Sequence, residues 1–355
     1  MKIRNFAAMT PQSLIDITHS QPLILVVVDG MHEPPLPQLG GLTPCEAAQC
    51  EHILSMKRDE ICLTPRGMDA STDVALLTLL GYDAAAAGCC RAPLEAIGCG
   101  ISVGANDTVL RCNLVTIRQG MIVSHCGENL SKENALNIVN LLNGYFALPN
   151  MRFYHGNGFR ALLKIRGLET LPASTPPHDI LNKPFLDHII TDHNLANLIL
   201  KANIRLSRQN LGANGIWLWG AGRICGFAPL GIDGCCISGT PLVRGLAKEL
   251  GMNIINVEGA DGTMSTNLAG KAEAAIQASA HHRLVLVHVE ACDEASHRRD
   301  IEGKIKMLRR VDTELIKPLL DHARKIGATV AVLSDHATSS ISGSHLPIPV
   351  PCHLS

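Results

Sequence analysis

The sequence predicts an α/β fold built on a buried, largely parallel sheet, and three stretches carry that prediction. Leu23 to Val28 (LILVVV), Leu284 to Val289 (LVLVHV) and Thr329 to Ser334 (TVAVLS) are short apolar runs rich in β-branched residues. Runs of this kind suit strands covered on both faces, as the strands of parallel sheets are. Each is closely followed by an aspartate: Asp29, Asp293 and Asp335. Ligands of open α/β sheets collect beyond the carboxyl ends of strands.

Composition narrows the function classes. The chain has 355 residues, 46% hydrophobic and 18% charged, which indicates a folded chain with a large core rather than disorder. A net charge of -1 gives no electrostatic basis for binding nucleic acid or an anionic membrane. The thirteen cysteines are odd in number and show no CxxC spacing. They point to free thiols in a reducing cytoplasm rather than to disulfides or a zinc ribbon. The opening residues, MKIRNFAAMTPQSLID, have no long apolar core, and no later run reaches membrane-spanning length. A soluble cytoplasmic protein is the expectation.

In chain order, a short helix is expected from Pro11 to Ile17, then the Leu23–Val28 strand, which ends at Asp29-Gly30. Gly30 would let backbone approach a bound ion, or the pair is a plain turn. After a Pro- and Gly-rich loop, Thr43 and Pro44 open a helix as N-cap and first residue. Ser71, Thr72 and Asp73 stand just ahead of an apolar helical run, Val74 to Leu80. A hydroxyl there either caps the helix or acts as a nucleophile beside N–H groups that also welcome phosphate. From Asn113 to about Leu206 the pattern changes to that of a small α+β domain, with a helix over Ser131 to Gly144 and a turn-rich surface segment, TLPASTPPHDILNKP. Beyond it, Asn253 to Val257 reads as a strand, and Gly239 to Gly251 and Ile301 to Ile326 read as helices. The polar segment after Val289 holds Asp293 and His297 four apart, on one side if it is helical. A carboxylate and an imidazole so placed suit manganese or zinc. His288, inside its strand, reads as a core or supporting residue.

Several blocks carry a resemblance. TPCEAA, TDVALLTLLGYD, RAPLEA and RCNLVTI are followed by ANGIWLWGAG, LVRGLAKELGM, VEGADG, HVEACDEASH and LSDHATS. In order and spacing they resemble the archaeal-type 2,3-bisphosphoglycerate-independent phosphoglycerate mutases, of the alkaline phosphatase superfamily, from about Asp29 to Pro351. The resemblance implies an alkaline-phosphatase-like, doubly wound, mainly parallel sheet with helices on both faces, plus a smaller inserted α+β domain. The core would comprise 1–112 and 207–355, and the insertion 113–206. It also implies two divalent metal ions, manganese first and zinc, magnesium or cobalt next, with no organic cofactor. One ion would be held by Asp293, His297 and His345, and the other by Asp29, Asp335, His336 and the nucleophile.

Counting back from LLGYD, the nucleophile position falls on Thr72, where the family has serine, with Ser71 as the fallback. Thr72 would take the phosphate of 3-phosphoglycerate as a phosphothreonine and return it to the 2-hydroxyl. Retaining glycerate calls for an enclosed cleft between sheet domain and insertion. Arg91, Arg111, Arg160 and Lys271 match family positions that bind phosphate and carboxylate. The sequence departs from the family at Val28 (glycine there), at QCEHI after TPCEAA, at Ser339 (proline there), and in ending soon after the PVP block, which could leave part of the sheet exposed. A metal-dependent phosphatase, another phosphotransferase such as one for homoserine, or an inactive metal-binding relative are the alternatives.

Overall fold

Six consecutive apolar residues leave a strand no face for solvent, so Leu23–Val28 (β1) belongs in the middle of a sheet. The computed structural model, which describes residues 9–85 and 90–355, has it there. Lys57–Ile61 (β2) follows. The chain then makes Asp107–Arg118 (β3), Met121–Ser124 (β4), Met151–His155 (β5), Arg160–Arg166 (β6) and Gly215–Gly222 (β7). It continues with Gly234–Ile237 (β8), Asn253–Ile254 (β9), Leu284–Val289 (β10), Thr329–Leu333 (β11), Ala337–Thr338 (β12), His345–Leu346 (β13) and Val350–Leu354 (β14). The described residues form two compact units, one of 9–85 with 227–355, the other of 90–226.

The first unit is built on a seven-stranded sheet in the order β2-β14-β11-β1-β10-β8-β9. It is parallel from β11 to β9, and β14 runs antiparallel to both its neighbours. Every residue of β1 and β10 is buried, so both faces of the sheet are covered. On one face Ile24, Val26, Val28, Val285 and Val287 pack with Leu268 and Ala275 of the helix Leu268–Ala278, and with Met307 and Leu315 of the stretch expected to be helical from Ile301 to Ile326. Parallel registration of β11, β1 and β10 brings three carboxyl ends side by side, and the aspartates that follow them arrive together.

The second unit holds the sheet β4-β3-β6-β5, with β7 on the other side of β3. The helices Lys132–Tyr145 and His193–Leu206 bury Ala135, Ile138 and Leu142, and Leu195, Ile199 and Ala202, against it. This unit extends beyond the expected span 113–206 at both ends. The reason is β3, which pairs with β6 from Asp107 to Asn113 and with β7 on its other side, while Ala92 and Ala96 of the helix Arg91–Gly98 pack on Val109.

Three local expectations change. The strand read over Asn253 to Val257 pairs only at Asn253–Ile254. The turn-rich segment near residue 180 is not wholly superficial: Ile180 packs with Trp217, whose indole N–H donates to Thr175 O at 2.8 Å. The helical stretch Ile301 to Ile326 contains a π-helical turn, Val311–Ile316, just before Pro318, which has no N–H for the ordinary ladder.

A buried ion pair ties the loops beyond the strand ends. Lys304 Nζ lies 3.0 Å from Glu33 Oε2 and donates to Thr338 O at 3.0 Å. Glu33 Oε1 accepts from Ser340 N–H at 2.7 Å. Both side chains are almost wholly excluded from water, so removing one partner strands the other's charge. Glu33→Ala is expected to cost about 3–5 kcal/mol in denaturant unfolding; an unchanged midpoint would show that the pair does not hold these loops.

Candidate active site

Asp29 follows β1 directly, and its N–H donates to Val289 O at 2.9 Å, continuing the parallel ladder by one residue. The chain then turns at Gly30, where φ is +66° and a Cβ would stand 2.5 Å from Asp293 Cα. Gly30 therefore serves close approach to the Asp293 backbone, where the sequence suggested an ion. The segment after β10 is the helix Ala291–His297, which puts Asp293 and His297 on one side. Asp335 and His336 follow β11, and His345 comes in on β13, which pairs with β12.

These side chains form three overlapping groups whose ligand atoms all lie within 4.8 Å of one another: Asp293, His297 and His345; Asp29, His288 and Asp335; Asp29, Asp293 and His336. Asp293 Oδ2 is 3.0 Å from His297 Nε2, and Oδ1 is 3.5 Å from His345 Nε2. His336 Nε2 lies 3.6 Å from Asp29 Oδ1 and 3.3 Å from Asp335 Oδ2, and His288 Nε2 lies 3.7 Å from Asp29 Oδ2. His336 stacks on His345 at 3.8 Å between ring centroids, which joins the groups into one site.

The residues expected as the second ligand set, Asp29, Asp335 and His336, lie side by side. His288, expected in a core or supporting role, also groups with Asp29 and Asp335, and His336 also groups with Asp29 and Asp293. The signal was present in LVLVHV: a lone imidazole in a strand buried on both faces needs polar partners.

Two observations fit divalent cations. First, Asp29 Oδ1, both Asp335 oxygens, His288 Nε2 and His336 Nε2 are buried with no hydrogen-bond partner, an expensive arrangement unless they serve as ligands. Second, every imidazole turns its Nδ1 outward. His297 Nδ1 donates to Gly343 O (2.8 Å) and His345 Nδ1 to Ala70 O (2.7 Å), leaving each Nε2 facing inward. His336 Nδ1 lies beside the Thr338 hydroxyl, and His288 Nδ1 beside those of Ser238 and Thr240. Such outer partners are what orient metal-binding histidines.

Charge follows the same plan. Burial, then the carboxylates of Asp293, Asp335 and Glu290, push the Asp29 pKa well above the usual range. Burial lowers His336, and takes His288 down to about 4, keeping both neutral as ligands must be. The Asp293 hydrogen bond raises His297 to about 9.

Thr72 opens the helix Thr72–Leu79 and is buried, with Oγ1 3.4 Å from Asp29 Oδ2. Ser71 is the N-cap residue, and its hydroxyl makes no capping bond. Lys271 is buried in the same unit, its Nζ donating to His288 O at 2.7 Å. Burial lowers its pKa to about 8 against the pull of Glu290 and Asp261. It braces β10 beside the aspartates, a role that the sequence did not suggest.

Within the second unit, Arg111 forms two hydrogen bonds to Glu95, one of them 2.9 Å from Nε to Oε2, and stacks 4.6 Å over Trp219. Arg91 Nε lies 3.9 Å from the same carboxylate, and Arg160 sits 4.9 Å over Phe159. Burial raises the Glu95 pKa, but Arg111, Arg91 and Arg160 outweigh it and bring the net shift down. Three guanidiniums thus gather near one carboxylate.

Residues 61–213 match the family model described as 2,3-bisphosphoglycerate-independent phosphoglycerate mutase. The chain is 35% identical to the 2,3-bisphosphoglycerate-independent phosphoglycerate mutase of Methanosarcina barkeri, over 92% of this chain and 88% of that one. It is 33% identical to a probable enzyme of the same name from Geobacter sulfurreducens, over 92% and 89%. Two solved structures share the fold. One is a Pyrococcus horikoshii protein (TM-score 0.78, 21% identity, 94% of this chain and 87% of that one). The other is the cofactor-independent phosphoglycerate mutase of Thermoplasma acidophilum (TM-score 0.58, 23% identity, 94% and 89%).

With its pKa near 9, His297 holds a proton at neutral pH in the metal-free protein, and an ion at Nε2 must displace it. Affinity for manganese should therefore rise about tenfold per pH unit up to about pH 9 and then level off. Titration calorimetry at pH 7.5 in buffers of different ionisation enthalpy should register at least about one proton released on binding. Zero release would contradict the assignment of His297.

Proposed function

The chain belongs to the 2,3-bisphosphoglycerate-independent phosphoglycerate mutases, and from that membership we propose that it interconverts 3- and 2-phosphoglycerate through a phosphothreonine on Thr72. The observation that carries the reading is the approach of Thr72 Oγ1 to Asp29 at the joined carboxylate and imidazole groups. Asp293, His297 and His345 are read as holding one ion, and Asp29, Asp335 and His288 the other, with His336 between them. Divalent ions bound there, with manganese and zinc both suited to mixed carboxylate and imidazole donors, would neutralise phosphoryl charge and make a neighbouring hydroxyl more nucleophilic.

The residues then divide the work. Thr72 sits at a helix N-terminus, where free N–H groups favour an anion. Its Oγ1 bonds to phosphorus as the bond to the substrate's C3 oxygen breaks, and that oxygen leaves with a proton. The 2-hydroxyl of the retained glycerate then attacks the phosphothreonine and releases Thr72. Arg91, Arg111 and Arg160 have the planar, doubly donating guanidiniums that recognise the carboxylate and phosphate of such a substrate. Glu95 and Trp219 hold Arg111 in place for that role. Lys271 is read as supporting the His288 strand, since its buried ammonium donates to the His288 carbonyl.

The free cysteines among the described residues support a cytoplasmic place for this chemistry; no helix among those residues is long and apolar enough to cross a membrane. A second reading, a phosphatase or another phosphotransferase, draws on the same nucleophile and differs in what accepts the phosphate.

The test is conversion of 3- to 2-phosphoglycerate with manganese present and bisphosphoglycerate absent, with free phosphate measured in parallel. Isomer without phosphate release is expected; phosphate without isomer would make the protein a phosphatase. Thr72→Ala should lower the rate roughly 10³-fold or more, while Ser71→Ala stays within a few-fold. The reverse pattern would move the nucleophile to Ser71.

A further inference from the structure

Thr338 has one hydroxyl proton and two neighbours that use the oxygen differently. Its Oγ1 donates to Asp293 Oδ1 at 2.7 Å and stands 3.1 Å from His336 Nδ1. An ionised carboxylate can only accept, so the hydroxyl proton goes to Asp293. What remains for His336 is an oxygen lone pair, which requires the proton on Nδ1. Nε2 then carries the ring's lone pair, and it is this atom that is buried without a hydrogen-bond partner, facing Asp29 and Asp335.

We propose that Thr338 is a positioning residue that couples the ligand groups: one hydroxyl fixes the Asp293 carboxylate and sets the His336 tautomer together. The proposal rests on the metal reading of these groups. Threonine suits the task because its branched side chain is stiff at χ1 and here fully buried. Its backbone is held from three directions. The N–H donates to His32 O at 3.1 Å, the carbonyl accepts from Lys304 Nζ, and the residue lies opposite His345 in the β12–β13 pairing. Thr338 thus adjoins Asp293, His336 and His345, members of two of the three groups.

A looser version occurs at His288. Thr240 Oγ1 donates to Glu290 Oε2 at 2.9 Å and lies 3.3 Å from His288 Nδ1. There Ser238 Oγ stands by at 3.4 Å, so a second hydroxyl is available. No second side chain is hydrogen-bonded to His336 Nδ1 among the described residues, which makes Thr338 the less replaceable of the two.

Thr338→Val keeps the shape and deletes the hydroxyl, and Thr338→Ser keeps the hydroxyl. In the metal-free full chain, long-range nitrogen–proton NMR correlations report which nitrogen of His336 is protonated. Nδ1–H is expected in the unmodified protein and in Thr338→Ser, with a shift towards Nε2–H in Thr338→Val. Manganese titrations should show both ions bound about 10- to 100-fold more weakly in Thr338→Val, with most of the loss restored in Thr338→Ser. An unchanged tautomer, unchanged affinity, or weakening confined to one ion would overturn the proposal. Nδ1–H with no manganese bound by the unmodified protein would overturn the metal reading and leave the tautomer assignment standing, so the two failures are distinguishable.

Discussion

The constraint on which the rest depends is charge burial at the ends of three adjacent parallel strands. Parallel pairing of β11, β1 and β10 leaves Asp335, Asp29 and Asp293 side by side, all largely shut off from water. Carboxylates so placed are costly unless protonated, paired or bound to cations. Among the described residues, the two buried lysines of this unit make their hydrogen bonds to other groups. Lys304 is committed to Glu33 and Thr338, and Lys271 to a backbone carbonyl. Four imidazoles complete the site, and two of them are kept neutral by burial. An arrangement left short of positive charge by its own side chains is built to receive metal ions.

Those histidines also show how the fold makes ligands out of ordinary side chains. Two donate an Nδ1–H hydrogen bond to the backbone carbonyls of Gly343 and Ala70, and two lie against hydroxyls, so that in each case Nε2 faces the carboxylates. The Gly343 carbonyl comes from a loop held near its start by the Glu33–Lys304 pair, through Thr338 and Ser340. Packing, a buried ion pair and ligand orientation therefore form one chain of dependence. Thr72 enters from the helix that follows Ser71, bringing a hydroxyl and a helix N-terminus to the same carboxylates.

Much of this was legible in the sequence. The apolar runs at 23–28, 284–289 and 329–333 are strands because no amphipathic helix has such continuous β-branched character. Asp29, Asp293 and Asp335 stood out because they follow those runs, and His297 because four residues separate it from Asp293. What was not legible depends on register between distant segments. Sequence could not pair Glu33 with Lys304, set Thr338 between Asp293 and His336, or show that Arg111 is held by Glu95. His288 was visible as the odd residue in its strand, but its partners come from β1 and β11. The edges of the second unit also rest on distant pairing, that of β3 with β6 and with β7.

The central claim is that these carboxylates and imidazoles hold two neighbouring divalent ions beside Thr72. Anomalous scattering at the manganese edge, from crystals grown with manganese, tests it most directly. The account predicts two peaks about 3.5–4 Å apart, or slightly more, ligated by Nε2 and never Nδ1 of the histidines, with Thr72 Oγ1 adjoining the ion at Asp29. A single peak, ligation through Nδ1, or ions remote from Asp29 and Asp293 would contradict it.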